Sequence, residues 1–591
     1  MKKFTMFSSV LASALMLTVA SCSSSDVTGG DAQTGNGTTS YLAVNLKTVG
    51  NAPTGNARQT RYTDSQNGTY EDGVGVENQI KSVRFYFFNA DGTPYILNNV
   101  NGKGNYIDRE VNVNPGDQSQ TVEGITETIL VLNGENHVAP ASMLTVINPD
   151  INPGLLKDGA PLRWSVMRKE LIGTTFCDDT HFMMSNSTYE EAGNDLCTTQ
   201  LTGKTYASSD DAQSHPVNVY VERVNAKVNA NVVGTNFEKE TADVIFDGVS
   251  MKDNQKTKVG VLSLAKEDGT TDQKTIFAYI VGWGLASENR KAELFKQIDT
   301  QKFTDEILGF SPWSSDYYHR SSWSLSVPFG GTGADKNEPL NHKFSEYTHK
   351  LGEAVYTLPN TPTEAIDEAH IYDNTLTKFV VAARLAYKDA DGSLQPAEIC
   401  EYKGQEFLGT DNLKKTFVKE ISRYYKKVPV AAGGPDKYVN LDPSDITFTT
   451  DAPSGTQAKD YEVFATLANP NLTLYDQQGG VWNEVTDKSG VYNMLQGTPA
   501  EVRKGGMAYY YTTIKHLGEK GKLGEYGIVR NHSYQISLNS IKGFGTPVYN
   551  PEKIIVPAIP SNDKTYLAAK INVLSWRVVP STVDLDKTEK K

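Results

Sequence analysis

The end of the chain limits the possible folds more than any other stretch. Residues 565–585 read TYLAAKINVLSWRVVPSTVDL, with Leu567, Ala569, Ile571 and Val573 on one face at period two. Tyr566, Lys570 and Asn572 take the other face, joined further on by Leu574, Trp576 and Val578. Pro580 ends the run, because proline has no N–H to give to a ladder. A long, half-apolar strand with an open edge invites pairing with another chain. The tail therefore either tucks into its own domain or pairs with a second copy, and that choice is the functional question.

The rest of the chain repeats this pattern in shorter runs. Residues 41–49 alternate, with Leu42, Val44 and Leu46 facing one way, and read as a short, edge-like strand. Residues 80–88, IKSVRFYFF, form a strongly β-prone run, and Asn89-Ala90-Asp91-Gly92 turns it back as a hairpin. Further strands are expected at 127–132, 144–148, 217–233, 244–251, 274–283, 379–387, 399–402, 461–468, 507–514 and 532–541. A short helix fits 161–171, and 287–298 is amphipathic with Asn289 as a possible cap. Turn residues recur between strands and helices are few, so the fold class is all-β. The 591 residues are enough for two β-sandwiches. The polar stretch 205–215 separates them, giving an N-terminal domain over 59–214 and a C-terminal one over 215–591.

The N-terminus is an export signal. Lys2 and Lys3 precede an apolar core, residues 6–20, too short to span a bilayer as a mature helix. Val19-Ala20-Ser21-Cys22 resembles a bacterial lipobox, which implies cleavage after residue 21 and acylation of Cys22; an ordinary secretory signal is the alternative. Residues 23–40 are rich in Ser, Gly and Thr and read as a tether. The mature protein is thus expected outside the cytoplasm. Cys177 and Cys197 either pair there or stay as thiols, and their spacing fits no zinc pattern.

Between the first two strands runs a polar segment, 50–73, carrying Arg58 and Arg61 with no apolar neighbours to fold them away. Such loops are preferred sites of proteolytic nicking, but taken alone this one reads rather as a plain surface loop with two solvated arginines. At the other end, 547–560 is a proline-punctuated leash before the tail.

Motifs for chemistry are missing. The nine histidines have no metal spacing, and neither a nucleophile elbow nor a phosphate loop is present. Residues 389–398 copy part of a calcium loop, but Tyr387 stands at the first-ligand position and strands flank it, so a hairpin is expected. Tyr317, Tyr318, His319 and Arg320 with Trp313 and Trp323 could line a sugar-binding surface, or be ordinary core. A net charge of −13 argues against nucleic acid as a partner. No catalytic residue, cofactor or metal is expected, and the chain reads as a non-enzyme.

Four features together resemble the fimbrillins of Bacteroidales, and most of all their short-fimbria major (shaft) subunits. They are the lipobox at Cys22 with its Ser-rich tether, the strand–arginine loop–strand order of 41–88, the run Val221-Glu222-Arg223-Val224-Asn225-Ala226-Lys227-Val228, and the ending. The ending comprises Tyr509-Tyr510-Tyr511, Val529-Arg530-Asn531-His532-Ser533-Tyr534 and the tail with Trp576. One departure is Thr357-Leu358-Pro359-Asn360-Thr361, where a glutamate would be expected before the Asn-Thr pair. The resemblance implies two transthyretin-like β-sandwich domains and a lipoprotein precursor of the outer membrane, palmitoylated at Cys22. It also implies an arginine-specific protease cutting after Arg58 or Arg61. Residues 22–58 are then a tether plus a removable strand built on Leu42, Val44 and Leu46. Once it is gone, the tail of another subunit, through Leu567, Ala569, Ile571, Val573 and Trp576, fills the gap by strand addition. The leash, 543–564, is expected to be mobile for this. Partners implied are other copies in a head-to-tail polymer, accessory anchor and tip subunits, and the protease. The product would be an adhesive fimbrium on the cell surface. The alternative is a tip or accessory adhesin, or a glycan-binding surface lipoprotein, that does not itself polymerise.

Overall fold

The computed structural model describes residues 39–48, 70–73, 75–98, 104–110, 126–134, 139–152, 161–187, 197–246, 248–265, 270–312, 321–333, 336–430, 434–557 and 566–577. Cys22, Arg58, Arg61, Trp313 and residues 317–320 lie outside them.

In the N-terminal part, seven strands form the main path of an eight-stranded sheet, whose eighth is the two-residue Thr199–Gln200. They are β1 (Thr39–Thr48), β3 (Ser82–Phe88), β4 (Tyr106–Glu110), β5 (Thr126–Asn133), β6 (Ser142–Ile147), β7 (Met184–Asn186) and β8 (Val217–Arg223); β2 (Tyr70–Asp72) belongs elsewhere. The strand order is β4-β3-β6-β7-β8-β1-β5. Leu97 bridges to Gly104 beside β4 and to Gly134 beside β5, so the sheet curls over and its ends meet. A Cβ at Gly134 would sit 2.0 Å from the Tyr95 hydroxyl oxygen, so the closure needs glycine there. The alternation of the strands explains the core. Leu42, Val44, Val83, Phe85, Phe87, Leu130, Leu132, Val219 and Val221 point inward and pack as one cluster. On the opposite face of β3 and β6, Tyr86, Phe88, Leu144 and Val146 meet Met167 of helix α1 (Trp164–Met167), Leu294, Phe295 and Leu358. The helix expected within 161–171 thus forms. That expected over 287–298 does not: Leu294 and Phe295 are drawn onto β3 and β6, and the segment runs extended, with a short strand at Ala292–Glu293.

The second block is a sandwich of two sheets. One has the order β12-β9-β15-β16-β2, from β9 (Ala226–Val232), β12 (Ala354–Thr357), β15 (His532–Lys542) and β16 (Tyr566–Arg577). The other is built around β10 (Gln255–Ala265), β11 (Thr271–Ala286), β13 (Lys378–Lys388) and β14 (Met507–Thr513). Val228, Ile536 and Leu538 from the first pack on Leu262, Ile280, Val381 and Tyr510 from the second. The expected domain junction at 214/215 falls just before β8, whereas the chain changes sheet between Arg223 and Ala226. Between β13 and β14 the chain builds a further lobe with its own core, in which Leu413, Phe417, Val463 and Leu495 pack together. Turn residues 389–392 make the expected hairpin, Lys388 pairing with Leu394.

Candidate functional site

β1 is not the edge strand its length suggested. It runs antiparallel to β5 over 39–46 and parallel to β8 over 44–48, so it is an interior strand with ladder partners on both sides. Leu42 and Val44 are fully buried, Leu42 opposite Leu130 and Val44 opposite Val217. Burial of each is worth about 1.5–3 kcal/mol. Among the described residues β5 has β1 as its one strand partner, apart from the Leu97–Gly134 closure. Taking β1 away would open a slot with one wall of β8, one of β5 and an apolar floor.

The segment expected as a domain linker lies across this strand. Tyr41 and Tyr206 exchange backbone hydrogen bonds of 2.7 and 2.9 Å. Helix α2 (Ser209–Ser214) follows, capped by Ser208, whose side chain accepts the Asp211 N–H. The Tyr206 ring stacks on His215 at 5.3 Å. This strap escaped the sequence reading because its polar residues resemble those of a linker; the one hint was the Ser-x-x-Asp cap signature.

The tail forms the strand expected of it and is accommodated in its own chain. β16 pairs antiparallel with β15 from Tyr566 opposite Lys542 to Ser575 opposite His532. Leu567 and Ala569 pack against the second core. On its other side, Ser575, Trp576 and Arg577 pair in parallel with Tyr70, Glu71 and Asp72 of β2. The leash, 543–564, expected to be mobile, is packed on the body over its described residues, 543–557. Thr546 and Pro547 pair with β14, Val548 and Ile555 are buried, and Ile555 N–H donates to His342 O at 3.0 Å. Its prolines stop regular structure but do not keep it off the body.

Buried ions join slot and tail supports. Glu222 at the end of β8 lies 2.9 Å from Arg530 and 3.2 Å from Lys296, all three buried. The Arg530 guanidinium also donates to Ser185 Oγ at 2.8 Å and to the Leu294 carbonyl at 3.1 Å. Beside it, Glu77 accepts from Lys227 at 3.0 Å and from the Tyr356 hydroxyl at 2.6 Å, while Arg223 donates to its backbone carbonyl at 2.8 Å. Burial pushes the neighbouring Glu293 carboxyl up to about 7. Removing one member of such a buried set costs about 3–5 kcal/mol, because the others stay buried and uncompensated. The signal was present in the run 221–228, whose Glu, Arg and Lys interrupt an apolar strand.

Other candidates resolve simply. Trp323 is core, packed against Phe303, Phe310 and His516, so it lines no surface. No disulfide joins Cys177 and Cys197; the Cys197 thiol donates to the Lys296 carbonyl. No group of His, Cys, Asp and Glu among the described residues is arranged to hold a metal.

Residues 503–581, which hold β14, β15, the leash and β16, match the family model described as major fimbrial subunit protein type IV, fimbrillin, C-terminal. No curated protein matches the chain. Solved structures that resemble it include a fimbrilin from Porphyromonas gingivalis, at 11% identity and TM-score 0.32, over 91% of this chain and 98% of that one. A candidate cell adhesion protein from Parabacteroides distasonis gives 11% identity and TM-score 0.34, over 92% and 100%. One from Bacteroides eggerthii gives 10% and 0.32, over 91% and 97%. At those values superposition carries no argument. The match that bears on family is that of residues 503–581, which are similar to the C-terminal region of fimbrillins.

Proposed function

We propose that this chain is a structural subunit of a cell-surface fimbria that polymerises head-to-tail by protease-triggered strand exchange. The observation that carries the reading is the place of β1: an interior strand with buried Leu42 and Val44, first in its sheet and followed by the arginine-bearing segment. Cleavage after Arg58 or Arg61 severs β1 from the rest of the chain. Its departure leaves unpaired ladder groups on β5 and β8, and such an edge is filled by an incoming strand. β16, with 12 residues against 10 in β1, is long enough to fill it. Residues 558–565 join β16 to the packed leash, and eight residues reach about 27 Å when extended. A contact in which one end enters the other end of the next copy does not close, so it builds a filament.

The precursor would be a lipoprotein of the outer membrane acylated at Cys22, with anchor and tip subunits and an arginine-specific protease as partners, and the assembled fimbria would support adhesion. The arrangement calls for no catalysis. A second reading, a tip or accessory adhesin that accepts a strand but keeps its own tail, is favoured by one observation: β16 pairs with β15 along nearly its whole length. Mass spectrometry of protein shed from the cell surface decides. A new N-terminus at Gln59 or Tyr62, with a ladder of detergent-resistant multimers, supports the shaft subunit. Clipped protein that stays monomeric refutes it.

A further inference from the structure

We propose that Tyr70–Asp72 is a latch on the tail, so that the same cut that frees β1 also loosens the tail for departure. The inference rests on the strand-exchange reading above and concerns what arms the donor rather than the acceptor.

The argument is one of tethers. β16 enters its sheet from the leash, with Tyr566 opposite Lys542, and ends beside the start of β15, with Ser575 opposite His532. A strand tied to the body at its N-terminal end must peel from its other end first. β2 sits on that other end, pairing with Ser575, Trp576 and Arg577 and, among the described residues, with no other part of the tail. Among the described residues Ser575 is ladder-paired on both sides, with His532 and Tyr70; Trp576 and Arg577 are paired with β2, and the preceding residues with β15.

β2 itself is only three residues long, and so short a strand is marginal unless its ends are held. Downstream it is held five residues on by Glu77, whose carboxylate takes Lys227 and Tyr356 and whose carbonyl takes Arg223. Upstream the chain runs back through residues 49–69 to β1, fixed between β5 and β8. A cut after Arg58 or Arg61 removes the upstream hold and leaves β2 tied at one end only. Closing a chain segment between two fixed points restricts its conformations, and opening it returns that freedom. An uncut subunit therefore keeps both its slot filled and its tail pinned, so unprocessed chains do not donate to one another.

The test is amide hydrogen exchange over 566–577, measured on the uncut chain, on the chain cut at its arginine segment, and on uncut Glu71→Pro. The proline takes a backbone N–H out of β2 and leaves the sequence of β1 unchanged. The latch requires exchange in the tail to rise about tenfold or more on cutting, and equally in uncut Glu71→Pro. Unchanged protection in both overturns it. An independent arm joins Asp72 to Arg577, which face each other across the pairing, by replacing both with cysteine. Oxidised, the cut Asp72→Cys/Arg577→Cys chain should stay monomeric and form multimers when reductant is added; equal assembly in both states overturns the latch. The filament reading fails separately: a wild-type tail that loosens on cutting without any multimer forming leaves the latch standing and removes the polymer.

Discussion

Leu42→Ala separates a discarded strand from a permanent one. Leu42 is fully buried opposite Leu130, inside a core with Val44, Leu132 and Val219. Truncating such a leucine costs about 2–5 kcal/mol, from lost burial plus the cavity left behind. The uncut chain should lose that amount, read as a fall in the denaturant midpoint of the N-terminal block with unchanged slope. If β1 leaves after cutting, the same cost becomes a gain in the population of the vacated slot. At tenfold per 1.4 kcal/mol this is about 30-fold to several thousand-fold. Multimers of cut Leu42→Ala should then form faster than wild type wherever ejection limits the rate. Once formed they should melt identically, since no polymer contains residue 42. Fluorescence-monitored unfolding of the uncut chain and the heat resistance of gel-resolved multimers read the two sides. Polymers of Leu42→Ala that melt lower by the same amount would refute the reasoning, because β1 would then still be in place.

Replacing both Arg58 and Arg61 with Ala should leave the acylated precursor unprocessed, seen by mass spectrometry as a retained N-terminal segment. Deleting residues 566–591 should abolish multimers and leave the unfolding of the N-terminal block unchanged. The second core should weaken, since Leu567 and Ala569 pack on it. Glu222→Gln should lower stability by about 3–5 kcal/mol, leaving Arg530 and Lys296 buried without their carboxylate; calorimetry of the uncut chain measures it. Burial holds the carboxyls of Glu293 and Glu501 up at about 7. A raised acid keeps its stabilising proton below its unfolded value and loses it as pH rises, so stability, read through the melting temperature, should fall as pH rises from about 4.5 to about 7, by up to about 3 kcal/mol per group. Lys378, pushed down to about 7 by burial, acts in the opposite sense at higher pH, and Glu293→Gln should flatten the acid-side slope.

Period-two patterning made β15 legible, where buried Ile536 and Leu538 alternate with wetter neighbours. β3 and β13, buried on both faces over most of their length, were legible instead as continuous apolar, β-prone runs. What the pattern does not encode is the neighbour. β1 reads as an edge strand because it is short, yet it has ladder partners on both sides, and partner identity is long-range information. Amphipathic 287–298 failed as a helix for the same reason, since Leu294 and Phe295 answer to β3 and β6 rather than to local propensity. The strap at 206–214 and the three-residue β2 are too short and too polar to stand out by period. The Glu222–Arg530 pair spans more than three hundred positions, so only its charges in an apolar run were visible.

These contacts bear on how a subunit could carry tension along a fibre. In the proposed polymer, load enters through the strand lodged between β5 and β8 and leaves through β16 toward the next copy. Glu222 is the penultimate residue of β8, Arg530 stands two residues before β15, and the two are 2.9 Å apart in a buried pair. Two residues after β8 the chain becomes β9, which runs parallel to β15 over Lys227 to Val232. Tension on the slot is thus passed to the tail's support by a covalent turn, a parallel ladder and a buried ion pair acting side by side. In such an arrangement the weakest step is the peeling of a terminal strand, not the parting of the two blocks. A chain whose Glu222–Arg530 pair is broken should therefore rupture between its blocks in single-molecule pulling, whereas the intact one should fail at an inserted strand.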